Sequence, residues 1–306
     1  MTRIVFLLLP GVHLLDLAGP AQVFSIAANY GLGYELHYVA EQEEIRSAQG
    51  LPVKASVGMP ALDPQDLLCV PGWRAPTLKT SGPMTKATAR WIAAHHDNGG
   101  TVASICAGAD ALGRAGLLDG RRCTTHHELQ DELAIRYPKA HVIRDVLFVV
   151  DGRIVTSAGI ASGIDLALHL IATRHGPGAA ARIARNMVVY ARRNGEEQQD
   201  SVMLRFRSHL SDTVHRAQDH IDGHFTGRLA LADIAAFAQV SERTLTRQFT
   251  EATGLTPLRY QQLLRVERAE HLIGHGATVE AAARAVGFTD ARMLRRLRAV
   301  HRSVDS

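Results

Sequence analysis

A pattern of apolar residues that recurs at an offset of 48 residues near the end of the 306-residue chain constrains the fold more than any other feature. Leu231, Ile234, Ala235, Ala238, Val240, Leu245 and Phe249 are echoed by Val279, Ala282, Ala283, Val286, Phe288, Met293 and Leu297, and apolar character is kept at every position. Each copy opens at i, i+3, i+4 and i+7, breaks, and resumes at i and i+4. That spacing predicts one short helix, a tight turn and a second helix, twice over. Ser241 and Thr289 stand where the second helices begin, and their hydroxyls suit the free backbone N–H groups of a helix start. The copies span about 229–252 and 278–300, and Pro257 to Ile273 reads as a 17-residue spacer helix. Such a helix is ~26 Å long, which would set two reading helices into successive major-groove segments ~34 Å apart.

Charge follows the same division. Residues 1–200 carry 19 Lys+Arg against 19 Asp+Glu, whereas residues 201–306 carry 15 against 11, and all 15 cations are Arg. The guanidinium fork matches phosphates and guanine edges, although a solvated Arg-rich surface would look the same from composition. On a helical wheel from Ser241, Leu245 and Phe249 face inward while Arg243, Arg247 and Thr250 face outward. Ser241, Glu242, Arg243, Thr246 and Arg247 are therefore the base-reading candidates of the first copy. Asp290, Arg292, Arg295 and Arg296 are those of the second, with Arg295 matched to Arg247, and Arg298 and Arg302 are placed to meet phosphate.

The first part of the chain follows a different rule. Continuous apolar runs at Ile4 to Leu9, Glu35 to Val39, Leu67 to Val70, Thr101 to Ile105 and Ile154 to Ser157 alternate with helical patterns. Strands buried on both faces and separated by helices imply an α/β domain with a parallel sheet. Pro10-Gly11, Gly19-Pro20 and Pro71-Gly72 are read as marking strand ends. The expected divisions are an α/β domain over 1–190, a polar linker over 191–204 and an all-α domain over 205–306. The N-terminal apolar run is short and lacks a small-residue cleavage site, so it is read as a buried strand rather than a signal peptide. No stretch reaches the ~18 apolar residues of a membrane span. Cys69, Cys106 and Cys123 are irregularly spaced without a CxxC pair, so neither disulfides nor a metal site nor any cofactor is expected, and a cytoplasmic setting fits.

Thr101-Val-Ala-Ser-Ile105 followed by Cys106-Ala-Gly-Ala109 places Cys106 on a sharp strand-to-helix turn, beside a helix start that favours thiolate. An inert buried cysteine is the competing reading. Gly159-Ile-Ala-Ser-Gly163 opens another helix and would serve either as an anion cradle or as a close packing surface, and Trp73 would serve as a pocket wall or as core.

Leu231-Ala-Asp-Ile-Ala, Ser241-Glu-Arg-Thr-Leu-Thr-Arg-Gln-Phe249, Gly254-Leu-Thr-Pro257 and Ala285-Val-Gly-Phe288 resemble the AraC/XylS regulators over about 205–300. After Leu297 the family's Phe and its Gly-x-x-Pro-x-x-Tyr-Arg tail are replaced. Asp16-Leu-Ala-Gly-Pro20, Ser104-Ile-Cys106-Ala-Gly-Ala109 and Thr124-Thr-His126 resemble the PfpI-type intracellular protease superfamily over residues 1 to about 175. Together they resemble GlxA-type regulators. The resemblance implies a flavodoxin-like sandwich, a site at Cys106 with Asp16 beside it and His126 either near it or packing, and double-stranded DNA as partner. It further implies a small-molecule effector, a homodimer and RNA polymerase as a further partner. Ala107 stands where protease-like members carry His, and His127 where a Trp is frequent, which weakens a protease reading. A cysteine-dependent hydratase or amidohydrolase with an attached DNA-binding module is the alternative function.

Overall fold

The computed structural model describes residues 1–78, 83–189, 195, 202–207, 209–274 and 276–302. The chain divides into two compact units, Met1–Gln199 and Asp200–Ser306. Nearly all of the expected linker, 191–194 and 196–201, lies outside the described residues.

In chain order the first unit contains β1 (Thr2–Leu7), α1 (Leu14–Asn29), β2 (Tyr34–Ala40), β3 (Glu44–Arg46), β4 (Pro52–Lys54), β5 (Ser56–Val57), β6 (Leu67–Val70), α2 (Lys86–Asp97), β7 (Thr101–Ile105) and α3 (Gly108–Arg114). It continues with β8 (Arg122–Cys123), α4 (Gln130–Arg136), β9 (His141–Val142), β10 (Phe148–Asp151), β11 (Ile154–Ser157), α5 (Ser162–His175) and α6 (Pro177–Asn186). Seven strands form one sheet in the order β10-β11-β7-β6-β1-β2-β5, parallel throughout except for β10 at the edge. Every residue of β6 and β11 is buried, as expected of strands covered on both faces. Helices α1, α5 and α6 pack together, and α2 and α3 pack with β7.

Gly19-Pro20, read from sequence as marking a strand end, instead lies inside α1. Its neighbour explains it. A Cβ on Gly19 would lie 2.9 Å from Ile164 Cγ1 and one on Gly163 would lie 3.2 Å from Pro20 Cγ, so these small residues let α1 and α5 cross closely. Of the two readings of the Gly159 to Gly163 segment, close packing is the one seen at Gly163.

The second unit contains α7 (Val202–Arg205), α8 (Asp212–His224), α9 (Leu231–Phe237), α10 (Glu242–Thr253), α11 (Pro257–Gly274), α12 (Val279–Ala285) and α13 (Ala291–Arg302). Two small cores form here. Val214, Ile221, Ile234, Leu245, Phe249 and Tyr260 centre one, and Val266, Ala269, Ala282, Val286, Leu294 and Leu297 centre the other. Helix α11 contributes to both, its first half to one and its second half to the other.

The duplication is not uniform. Helix α12 begins 48 residues after α9, but α13 begins 49 residues after α10. Gln239, at φ 60°, and Gly287, at φ 82°, make the left-handed turn in the two copies. Thereafter the first copy has Val240 and Ser241 before its helix, the Ser241 side chain accepting from Thr244 N at 3.2 Å, while the second has Phe288, Thr289 and Asp290. Asp290 Oδ1 accepts from Arg292 N at 2.7 Å, so Asp290 fills the capping role assigned from sequence to Thr289. One added residue turns a helix by ~100°. Accordingly Leu294 is fully buried and Met293 is 39% exposed, so Leu294 rather than Met293 is the counterpart of Leu245. Arg292 then corresponds to Arg243, and Arg296, not Arg295, to Arg247.

Candidate functional site

On α10, Ser241, Glu242, Arg243 and Arg247 are exposed and Thr246 is half-buried. Arg247 Nη1 lies 3.1 Å from Glu251 Oε1 one turn on, whereas Arg243 has no ion pair among the described residues. On α13, Asp290, Arg292, Arg295 and Arg296 are exposed. Arg295 is paired with Glu280 of α12, and Arg296 Nη2 contacts Met293 Sδ at 3.4 Å. Arg298, expected to meet phosphate, instead forms a two-point bond to Glu270 of α11, at 2.6 and 2.9 Å. It stands 49 residues after Phe249, so an ion pair occupies the place of an aromatic core residue. The side chain of Arg302 lies outside the described residues.

Helices α8 and α11 are joined by a polar brace that sequence reading missed. Arg207 Nη2 reaches Asp219 Oδ1 at 2.6 Å and Asp222 Oδ2 at 2.7 Å, and the Tyr260 hydroxyl donates to Asp222 Oδ1 at 2.8 Å. Burial pushes the Asp222 carboxyl upward and Arg207 holds it down, which ties α8 to the first half of α11.

In the first unit Cys106 sits in the elbow after β7 with φ 54°, a conformation rare for a residue bearing a Cβ. Its amide donates to Ser157 O at 2.9 Å and its carbonyl accepts from Thr125 Oγ1 at 2.8 Å. Asp16, fully buried near the start of α1, accepts from Ile160 N at 2.6 Å through Oδ1. Ile160 itself is left-handed, at φ 51°, so its backbone is strained at the point where it meets the carboxylate. Two glycines close the site. A Cβ on Gly72 would lie 2.5 Å from Asp16 Oδ2 and 2.7 Å from Cys106 Cβ, and one on Gly159 would lie 2.2 Å from Cys106 Cβ.

Burial raises the Asp16 carboxyl to about 6, against the opposing pull of the Ile160 amide, the Cys106 thiol and the Gly72 amide. Its Oδ2 is buried with no hydrogen bond of good geometry. Burial and then the adjacent Asp16 charge push the Cys106 thiol far above its ordinary range, outweighing the favourable Ala107 amide. The thiolate expected from the helix start is thus disfavoured. Helix α3, of seven residues, supplies few aligned dipoles, and Cys106, 6% exposed, is screened by almost no water. His126 does not join this pair by any hydrogen bond among the described residues. Its Nδ1 lies 3.6 Å from Glu128 Oε2 and its ring 4.3 Å from that of His127, and burial followed by His127 lowers its pKa. Trp73 is buried and bridges to Val12. Thr125, Gly72, Gly159 and the Ile160 amide complete the site. Each had a signal in the sequence: Gly72 in the Pro71-Gly72 pair, Thr125 in Thr124-Thr-His126, and Gly159 and Ile160 in the segment that opens a helix.

All three cysteines are free and buried, no group of three or more His, Cys, Asp or Glu among the described residues is placed to hold a metal, and no helix there is long and apolar enough to cross a membrane.

Two helix-turn-helix units with cationic second helices, behind an α/β domain with a cysteine elbow, define a helix-turn-helix transcriptional regulator. Residues 2–173 match the DJ-1/PfpI family and residues 234–301 match a helix-turn-helix domain. The HTH-type transcriptional regulator CdhR of Pseudomonas aeruginosa is 31% identical over 276 residues, 88% of this chain and 79% of that protein. An isonitrile hydratase of Pseudomonas putida is 34% identical over 174 residues, 55% of this chain and 70% of the enzyme. The crystal structure of an AraC family transcriptional regulator from Pseudomonas putida overlays 61% of this chain and 100% of its own, at a TM-score of 0.53 and 22% identity, a likeness of fold. The chain belongs to the DJ-1/PfpI family, among the AraC-type regulators that join this domain to a C-terminal helix-turn-helix domain.

Proposed function

We propose that the protein regulates transcription by binding double-stranded DNA through α10 and α13. The observation that carries this reading is the pair of helix-turn-helix units on separate cores, each offering an exposed Arg in the first turn of its second helix, Arg243 and Arg292. Helix α11, at 18 residues, is ~27 Å long and spaces the two units for one helical turn of DNA. Ser241, Glu242, Thr246 and Arg247 in one half-site and Asp290, Arg295 and Arg296 in the other complete the reading surface. Residues 205–306 form the DNA-binding domain, 191–204 the linker and 1–190 a domain for sensing and dimerisation, with RNA polymerase as a further partner.

The effector pocket lies at Asp16 and Cys106. A buried Oδ2 without a hydrogen bond of good geometry, on a carboxyl raised by burial to about 6, supports an effector that donates a hydrogen bond, such as a small amine or amide. Nucleophilic chemistry at Cys106 is not favoured, because the neutral thiol is the stable form.

The test is enrichment of the full chain's target from a randomised duplex pool, with affinity for the enriched site measured across salt concentrations. Half-sites about one helical turn apart and a steep salt slope are expected. Arg243→Ala should weaken the enriched site by about 1–3 kcal/mol. Weak, sequence-independent binding would refute the reading.

A further inference from the structure

A cavity of about 190 Å³ lies at the other end of the sheet from the elbow. Thr101, which lines it, opens β7, and Cys106 follows the last residue of the same strand, so the two places are ~16 Å apart along the strand. Its walls are mostly apolar, with Ile4 and Leu67 from the strands, Phe24 from α1 and Leu170 from α5. Cavities of about 150 Å³ hold a benzene-sized molecule. The polar side chains are Tyr34, Thr101, His169, Thr173 and Arg174, and no acidic side chain lines it. Arg174 donates to Gln65 O through Nη2 at 3.0 Å and also interacts with the Tyr34 hydroxyl, and its five N–H donors leave others for a ligand.

Through Phe148 the cavity wall is also linked to Gly195, near the end of the first unit. The His169 ring lies 5.0 Å from that of Phe148. The Leu147 and Phe148 amides both donate to Gly195 O, at 2.8 and 3.2 Å, and a Cβ on Gly195 would lie 2.7 Å from the Phe148 ring. Phe148 therefore touches the cavity-lining His169 on one side and Gly195, near the end of the first unit, on the other.

We propose that this cavity binds a small apolar carboxylate, its ring or aliphatic body among Phe24, Leu67 and Leu170 and its anion on Arg174, and that occupancy steadies the Phe148–Gly195 contact. The binding stands on the cavity alone, while its meaning as a regulatory input rests on the DNA-binding reading above.

The experiment uses the full chain, with benzoate as probe and benzyl alcohol as its uncharged counterpart. Affinity is read by saturation-transfer NMR and hydrogen exchange at Leu147 and Phe148 by mass spectrometry. Benzoate should bind saturably and slow exchange there at least about twofold, and Arg174→Gln should weaken it about tenfold, to the level of benzyl alcohol. Leu170→Trp, which fills the cavity, should abolish binding, while Cys106→Ala should leave it intact. Absence of saturable benzoate binding, or binding that survives Leu170→Trp in a folded variant, overturns the site. So does undiminished affinity in Arg174→Gln or loss of binding in Cys106→Ala, and binding without any change in exchange overturns the link to Gly195. None of these readouts involves DNA, so failure of the proposal and failure of the DNA-binding reading are separable.

Discussion

Replacing Gly287 by Ala tests the turn of the second helix pair. The backbone there has φ 82°, and a Cβ would lie 1.9 Å from the Thr226 carbonyl oxygen and 2.9 Å from its carbon. The left-handed conformation alone costs a residue with a Cβ about 1–2 kcal/mol. The clash is with backbone, so the 225–227 segment must move as well. That segment is held by Arg265, whose Nε donates to Phe225 O and Nη2 to Gly227 O, each at 2.6 Å. Bonds to a charged donor contribute about 1.5–3 kcal/mol each, so loss of even one brings the total to about 3 kcal/mol or more. Gln239 occupies the equivalent turn at φ 60°. Gln239→Gly relieves the same ~1–2 kcal/mol and costs about 0.5–1 kcal/mol in unfolded-state entropy, leaving a gain of about 0.5 kcal/mol. Because the two helix pairs have separate cores, hydrogen exchange of the full chain should resolve them. Gly287→Ala should speed exchange in α12 and α13 roughly a hundredfold while Gln239→Gly slows it slightly in α9 and α10. Exchange within about twofold of the parent in Gly287→Ala would refute the assignment of this close contact to the turn of the second helix pair.

The ion pair of Arg298 with Glu270 is about three-quarters buried and stands in for an aromatic residue of the first copy, so Arg298→Phe alone, which strands the Glu270 carboxylate, should speed exchange in α13, whereas Arg298→Phe with Glu270→Leu should be neutral or stabilising by up to about 1–2 kcal/mol, measured as slowed exchange in α13. Asp16 titrates near 6 when folded against 3.8 ordinarily, so the folded state binds the extra proton. Its contribution is therefore unfavourable above pH 6, and stability should rise as pH falls from 7 through 6 and level off below 3.8, by on the order of 3 kcal/mol. Asp16→Asn should flatten that profile in urea melts of the first unit's fluorescence, and an unchanged slope would refute it. Cys106 should alkylate with iodoacetamide at pH 7.5 at least about tenfold more slowly than a free thiol, and Asp16→Asn should quicken it; fast labelling in the parent, read by mass spectrometry, would contradict a neutral, buried sulfur.

Much of this protein was legible before any coordinates. The runs at 67–70, 101–105 and 154–157 are the strands seen, because a strand buried on both faces must be apolar throughout, whatever its neighbours. The helix-turn-helix pairs follow from i, i+3, i+4 spacing, and Ser241 caps as its position suggests, since a cap is a contact over three residues. The added residue before α13 was invisible, because Met293 and Leu294 are both apolar and either satisfies a 3.6-residue period; only burial against Val286 and Ala282 separates them. Likewise, the sequence could nominate Arg295 and Arg298 as cations but not reveal that Glu280 and Glu270 hold them from other helices. The elbow divides the same way. Local residues determined that Cys106 would stand on a strained turn after a strand. That it is a neutral thiol, beside a carboxyl titrating at about 6 and bonded to an amide 144 residues away, was decided by burial and long-range contact, which only the tertiary structure brings about.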